Sequence, residues 1–253
     1  QNGYTEQWSV SGRVGVCETQ HDSFVDYAVY RVENGLPSSI NRATFRDHPR
    51  AARTPFDSQT KEGFRLRPGT TIKLSETLDF AAEFALNHMK TDFDNPSFNS
   101  QSKRDADTYA LTPRFKWAHG GLGQQSISVF GYDYYYGKVD ADYLGSYANS
   151  AARQESHALY WHNDTALTQQ LSLNAGLRQQ TTRQKADQDA YDPFFMPAVA
   201  GKKTHNNTAY DLGLNYHEAS WSVYGKTGSS FRVATTDELF GADPVTFQPL
   251  FFG

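Results

Sequence analysis

The sequence predicts an all-β fold: an antiparallel transmembrane β-barrel, with about ten strands present in these 253 residues. Three observations point there. Apolar and polar residues alternate with a period of two through most of the chain, as in strands with one apolar and one polar face. The connections between those stretches alternate short and long without exception, the pattern of barrels with short periplasmic turns and longer extracellular loops. No run approaches the roughly 18–20 apolar residues of a spanning helix. Hydrophobic residues make up 38% of the chain and mean hydropathy is −0.67. That is polar for a soluble core, and it fits a wall in which only alternate residues meet lipid.

The first hairpin sets Trp8, Val10, Val14 and Val16 against Ser9, Ser11, Arg13 and Cys17, then returns with Val25, Tyr27 and Val29 on one face. Residues 32–62 read as a long loop holding Pro37, Pro49 and Pro55. The second hairpin has Phe64, Leu66, Pro68, Ile72 and Leu74 opposing Arg65, Arg67, Thr71 and Lys73. After Ser75-Glu76-Thr77 it returns as Leu78, Phe80, Ala82, Phe84 and Leu86. Pro68 speaks against a strand interior, since proline donates nothing to a ladder.

Residues 92–107 read as a polar loop. The third hairpin follows, from Tyr109 to Trp117, a turn over 118–123, and a return through Ile127, Val129 and the aromatic run 130–136, apolar on both faces. After a loop over 139–153, the fourth hairpin places His157–His162 before Leu171, Leu173, Ala175 and Leu177. A loop over 183–206 precedes the fifth, in which Tyr210, Leu212, Leu214 and Tyr216 alternate with Ala209, Asp211, Gly213 and Asn215. That hairpin turns at 217–220 and returns from Trp221 to Lys226. Trp117, Trp161 and Trp221 sit towards the short turns, where an interfacial aromatic girdle belongs, and Trp8 lies at the opposite rim. The alternative is a soluble all-β protein with core tryptophans.

The net charge of −4 and the scattered basic residues give no footprint for nucleic acid. Cys17 is the single cysteine, so no internal disulfide forms. Gln1 opens without a basic and apolar leader. An open ten-strand sheet would leave two unpaired edges in lipid, which is prohibitive. Residues 1–253 are therefore expected to be part of a larger wall, of the kind closed by about 22 strands around a plugged lumen, or else to close on themselves as a small barrel.

The stretch 229–240, with Phe231, Arg232, Glu238, Leu239 and Phe240, resembles the late barrel of TonB-dependent outer-membrane receptors. It departs from their pattern in having Ala234 where Pro is usual. Residues 156–178, ending Ala175-Gly176-Leu177-Arg178, and the loop 36–57 also resemble these receptors, the loop those of ferric-citrate type. The resemblance implies a bacterial outer-membrane location and a plug domain outside these residues. It also implies energy from the TonB–ExbB–ExbD complex and uptake of a scarce large ligand, a ferric siderophore first, with haem, cobalamin or another cofactor as alternatives. It implies no resident cofactor, the ferric chelate being cargo, and no catalysis.

Anionic chelates pair naturally with arginine through charge-assisted hydrogen bonds, so Arg65, Arg67, Arg178 and Arg232 are candidate ligand contacts. The competing role is pairing with wall carboxylates such as Glu83 or Asp79, or, for Arg232, a rim contact. Tyr191, Phe194 and Phe195 form a loop aromatic cluster suited to ligand binding. Haem would draw on His48 or His205. A small barrel protease would use Asp133, Asp140 and Asp142 near Tyr134, Tyr135 and Tyr136, and a passive porin would need none of these.

Overall fold

The computed structural model describes residues 3–121, 124–144, 149–190, 197–235, 238, 240–242 and 249–251. Alternation becomes one antiparallel sheet: β1 (Thr5–Cys17), β2 (His21–Gly35), β3 (Ser58–Lys73), β4 (Leu78–Asn95), β5 (Ser100–Leu111), β6 (Arg114–Gly121), β7 (Gln124–Leu144), β8 (Ser150–Ala166), β9 (Leu171–Gln188), β10 (Val199–His217) and β11 (Ser222–Ser229). Sequence neighbours are spatial neighbours throughout, an up-and-down meander. Among the described residues β1 pairs only with β2 and β11 only with β10, so these ten strand positions do not close on themselves.

β5 and β6 are one strand interrupted at Pro113, whose nitrogen has no hydrogen to give. The register is unbroken across the gap: Phe84 faces Leu111 and Phe80 faces Phe115. The Thr112 amide donates to the Glu83 carbonyl at 2.9 Å and the Tyr132 amide to the Pro113 carbonyl at 3.0 Å. Pro68 is accommodated inside β3, opposite Val25 of β2, and the β3–β4 ladder resumes at Gly69–Glu83.

Four short turns are closed by amide-to-carbonyl bonds, Glu18 to His21 (2.7 Å), Leu74 to Leu78 (2.8 Å), Leu167 to Leu171 (2.8 Å) and Glu218 to Trp221 (2.9 Å). All lie at one end. At the other end the sequence reading is corrected. β2 runs on to Gly35 and β3 begins at Ser58. Most of 92–107, 139–153 and 183–206 is strand, and β4 and β5 are joined over a single 3-10 turn, Pro96–Phe98. The hairpins there stand clear of hydrocarbon, where water meets both faces. Apolar alternation then has nothing to enforce it, although the backbone ladder continues. Likewise β8 extends to Ala166 and β6 to Gly121, each beyond the apolar segment.

The connection 36–57 carries a short helix α1 (Arg42–Asp47), whose N-cap Asn41 accepts from the Thr44 amide at 2.8 Å. Asp57, 2% exposed, accepts from the Ser97 amide at 3.0 Å and ties this loop to the neighbouring hairpin tip. After β11 the described residues touch the inner face at two places. The Gln184 side chain donates to the Ala234 carbonyl at 2.6 Å, and the Phe251 ring fills the space above Gly201. A two-stranded ribbon, β12 (Phe240–Ala242) with β13 (Pro249–Phe251), follows.

Register assigns the faces. Val10–Val29–Phe64, Phe84–Leu111, Phe130–Trp161–Leu177–Tyr210 and Leu173–Leu214 are chains of direct partners on one side. Nearly all are exposed, a continuous apolar band far larger than a soluble monomer presents. The aromatic run of β7 resolves by the same parity: Tyr132, Tyr134 and Tyr136 share the outward face with Phe130, and Asp133 and Tyr135 face inward. At the short-turn end Trp221 packs on Tyr216 with ring centroids 5.5 Å apart. No helix of the described residues is long and apolar enough to cross a membrane.

Candidate functional site: the inward face

The inward face carries a belt of alternating charge, one residue on nearly every strand. Arg13 of β1 donates to Asp26 of β2 (Nη2 to Oδ2, 2.9 Å). Asp26 accepts from Arg67 of β3 at 2.6 Å, and Arg67 lies 3.7 Å from Glu83 of β4. Arg114 of β6 reaches Glu83 at 3.2 Å. Across Tyr160 of β8, Arg178 of β9 donates to Asp133 of β7 at 2.6 Å, and Lys226 of β11 lies 3.6 Å from Asp211 of β10. The Phe24 ring lies under both Arg13 and Arg67, its centroid 4.2 and 5.6 Å from their guanidinium carbons. Alternating signs set Asp26 and Glu83 each between two cations and give Asp133 and Asp211 one each, so a wet but confined surface carries many charges with little net field.

The belt holds Arg67 and Arg178 among wall carboxylates, five strands apart, roughly 24 Å at about 4.8 Å per strand. They do not converge. Arg65 lies above the belt, exposed on the inward face beside Ala28 and Asn87, with no ion pair among the described residues. Asp79 faces Lys73 and Lys116. Arg232 forms a two-oxygen pair with Glu238, 2.8 Å to each carboxylate oxygen, and Glu238 also accepts from the Thr235 amide at 2.8 Å. That backbone bond first, and the guanidinium second, hold the Glu238 carboxyl below its ordinary range. The motif thus closes on itself as a staple. Phe231 is half-buried and Phe240 pairs with Phe251. Tyr191, Phe194, Phe195 and Leu239 lie outside the described residues.

Above the belt, towards the long hairpins, the inward face bounds a cavity of about 630 Å³. Lys61 of β3, Met89 and Phe93 of β4, Arg104 of β5, Gln154 of β8 and Thr235 line it. Lys61 and Arg104, with side-chain amides and a few apolar groups, suit an anionic ligand of a few hundred cubic ångströms; Asp107 and Lys138, one charge of each sign, also border the space. From Arg178 a polar column climbs β9: Arg178 donates to Gln180 (2.9 Å), Gln180 to Thr182 (3.0 Å), and Gln184 to Gln154 (2.8 Å). Sequence reasoning missed Lys61 and Arg104 because both fall in stretches read as loop. Carrying the odd-numbered inward parity of Arg65 upward through β3 reaches Lys61, and the even-numbered inward parity of β5 reaches Arg104.

His205 faces inward on β10 opposite Thr182, with its Nε2 buried and unpaired among the described residues. His48 caps the C-terminus of α1 in the middle of the loop, its amide donating to the Thr44 carbonyl. Asp133 points inward, whereas Asp140 and Asp142 share the outward face of β7, so these three carboxylates form no common site.

A one-sided apolar band and a charged inner face on one antiparallel meander define a transmembrane β-barrel wall of the outer-membrane type. A family model, TonB dependent receptor-like, beta-barrel, matches residues 8–250, and the chain belongs to that family. Among solved structures it is similar to the ferric citrate transporter FecA in its unliganded form (14% identity, TM-score 0.80, 90% of this chain and 36% of that one). It is similar also to the siderophore receptor PiuA from Acinetobacter baumannii (12%, TM-score 0.70, 88% and 41%) and to the ferric-catecholate import receptor Fiu from E. coli K12 in its closed form (12%, TM-score 0.70, 88% and 43%). The chain spans less than half the length of each. No curated protein sequence matches.

Proposed function

We propose that these residues form part of the barrel of a bacterial outer-membrane receptor that imports a ferric siderophore, with energy delivered by TonB, ExbB and ExbD through a plug domain belonging to the whole protein. The full wall would have about 22 strands. The observation that carries the ligand class is the cavity above the belt, where Lys61 and Arg104 face a space sized for a small anionic chelate. The belt below pairs its charges among its own residues, and Lys61 and Arg104 line the cavity above it. Haem is the second reading and rests on inward-facing His205 with its unpaired Nε2. The family and the similar structures are transport receptors, and binding here requires no covalent chemistry.

The test is uptake of radiolabelled iron by iron-starved cells carrying the full-length gene, with ferric siderophores, haem and cobalamin compared. A ferric siderophore is expected to be taken up only when TonB is present. Lys61→Gln with Arg104→Gln is expected to weaken its binding about tenfold. Uptake of haem or cobalamin alone, or of a chelate indifferent to both substitutions, would refute the assignment.

A further inference from the structure

The outward face of β7–β10, above the apolar band, carries an arrangement that neither wall stability nor cargo binding requires. Lys138, Arg153, Lys185 and Lys202 are direct cross-strand partners in one hydrogen-bonded row. Like charges directly opposite one another destabilise a sheet, and three such pairs stand in succession here. Lys138 and Lys185 each keep a carboxylate, Asp140 and Asp187. Arg153 and Lys202 form no ion pair among the described residues, nor does Arg183 one row below. Arg183 faces Glu155 across the ladder, but Glu155 lies instead 3.4 Å from the His157 ring and accepts from Tyr134. These cations surround a concavity of about 550 Å³. All three unpaired cations are exposed.

Directly below, the same strands form an apolar groove of about 500 Å³ whose outward walls are Phe115, Phe130, Leu159, Trp161 and Leu177, where Pro113 interrupts the neighbouring strand. From Leu159 to Arg153 is six residues along β8, roughly 20 Å of strand and about 15 Å of height once tilt is allowed for. One bilayer leaflet has about that hydrocarbon depth.

We propose that this face holds one phosphate-bearing anionic lipid of the outer leaflet, its phosphate among Arg153, Arg183 and Lys202 and an acyl chain in the groove below. This rests on the reading that the chain spans the outer membrane with its short turns inside. The arginines supply planar forks matched to phosphate oxygens, and the lysine a third positive charge. The groove supplies selectivity for a lipid over a free anion.

The test uses the full-length receptor purified in detergent, with lipid retention counted by native mass spectrometry. The probes are a bis-phosphorylated acylated glucosamine disaccharide, its dephosphorylated form, phosphatidylcholine and inorganic phosphate. One phosphorylated glycolipid per receptor is expected. Retention should be about tenfold weaker for the dephosphorylated form and for Arg153→Gln/Arg183→Gln/Lys202→Gln, and millimolar phosphate should not displace it. Should the triple variant lose the heat-modifiable mobility of a folded barrel, Arg153→Gln and Lys202→Gln are tested singly, each expected to cost about threefold. Undiminished retention by folded variants, equal binding of the dephosphorylated form or of phosphatidylcholine, or displacement by phosphate would overturn the proposal. Iron uptake reads separately: a receptor that keeps its glycolipid but imports no ferric chelate refutes the transport reading alone.

Discussion

Arg178 shows what a lumen charge does when the wall claims it. Its guanidinium satisfies Asp133, 9% exposed, and turns its remaining donors to Gln180. Replacing Arg178 by Met leaves that carboxylate without its cation in a half-dry setting, at a cost of about 2 kcal/mol. Asp133→Asn in the same chain is expected to recover most of the loss, because the partners form one unit. Thermal loss of folded-barrel gel mobility checks both. Gly131 lies beneath the Tyr160 ring, where a Cβ would collide with the aromatic edge. Gly131→Ala is expected to cost about 1–3 kcal/mol by displacing the ring, and Tyr160→Ala added to it should remove the clash, measured the same way. The same covering recurs at Gly12 under Tyr27, Gly63 under Tyr30 and Gly69 under Phe24, an aromatic over a strand glycine each time. That pattern is invisible in sequence, since each ring lies on the partner strand.

At the scale of elements, the Arg232–Glu238 staple is the bond that joins the two ends of the described stretch after β11. The Glu238 carboxyl is held below its ordinary value of 4.5 by the Thr235 amide and then by Arg232. A depressed carboxyl contributes stability that is present above the ordinary value and lost as pH falls through the lower folded one. Amide protection at 231–235, judged from the exchange rate relative to the intrinsic rate at the same pH, is therefore expected to be unchanged from neutral pH to about pH 5 and to fall below 4.5. Glu238→Gln should produce the fast exchange at neutral pH, and rates indifferent to both would show that the staple does not order the segment. The motif was legible as a resemblance, but the closing of Arg232 onto Glu238 was not, because it depends on the turn between them. Strand existence was legible wherever lipid enforces alternation, as in Leu212-Gly213-Leu214. It failed where hairpins rise into water, and with it went Lys61 and Arg104, the residues nearest the cavity. Arg67 and Arg178 were legible as inward-facing, but their partners are set by strand order and stagger, which no local pattern encodes.

The whole molecule is governed by a stagger. Follow the row of direct partners from Gly12: Tyr27, Leu66, Leu86, Tyr109, Tyr136, Glu155, Arg183, Thr204. It starts in the middle of the apolar band and ends among charges, while the band on β10 is centred near Leu212 and Leu214. The apolar level therefore slips about one residue per strand, which at roughly 3.3 Å rise and 4.8 Å spacing tilts the strands by about 35°, the inclination of membrane barrels. The charge belt slips with it, so it encircles the lumen at one height instead of following the hydrogen bonds. A consequence separates a tilted membrane wall from a flat sheet with one greasy side. With Cys17 replaced by Ser, fluorophores on Tyr27→Cys and Leu212→Cys should both be quenched by brominated acyl chains, and one on Thr204→Cys should not. Tyr27 and Thr204 share a row, so a sheet lying square to the bilayer would quench both or neither. Only the stagger puts Tyr27 level with Leu212, on a different row, and lifts Thr204 clear of hydrocarbon.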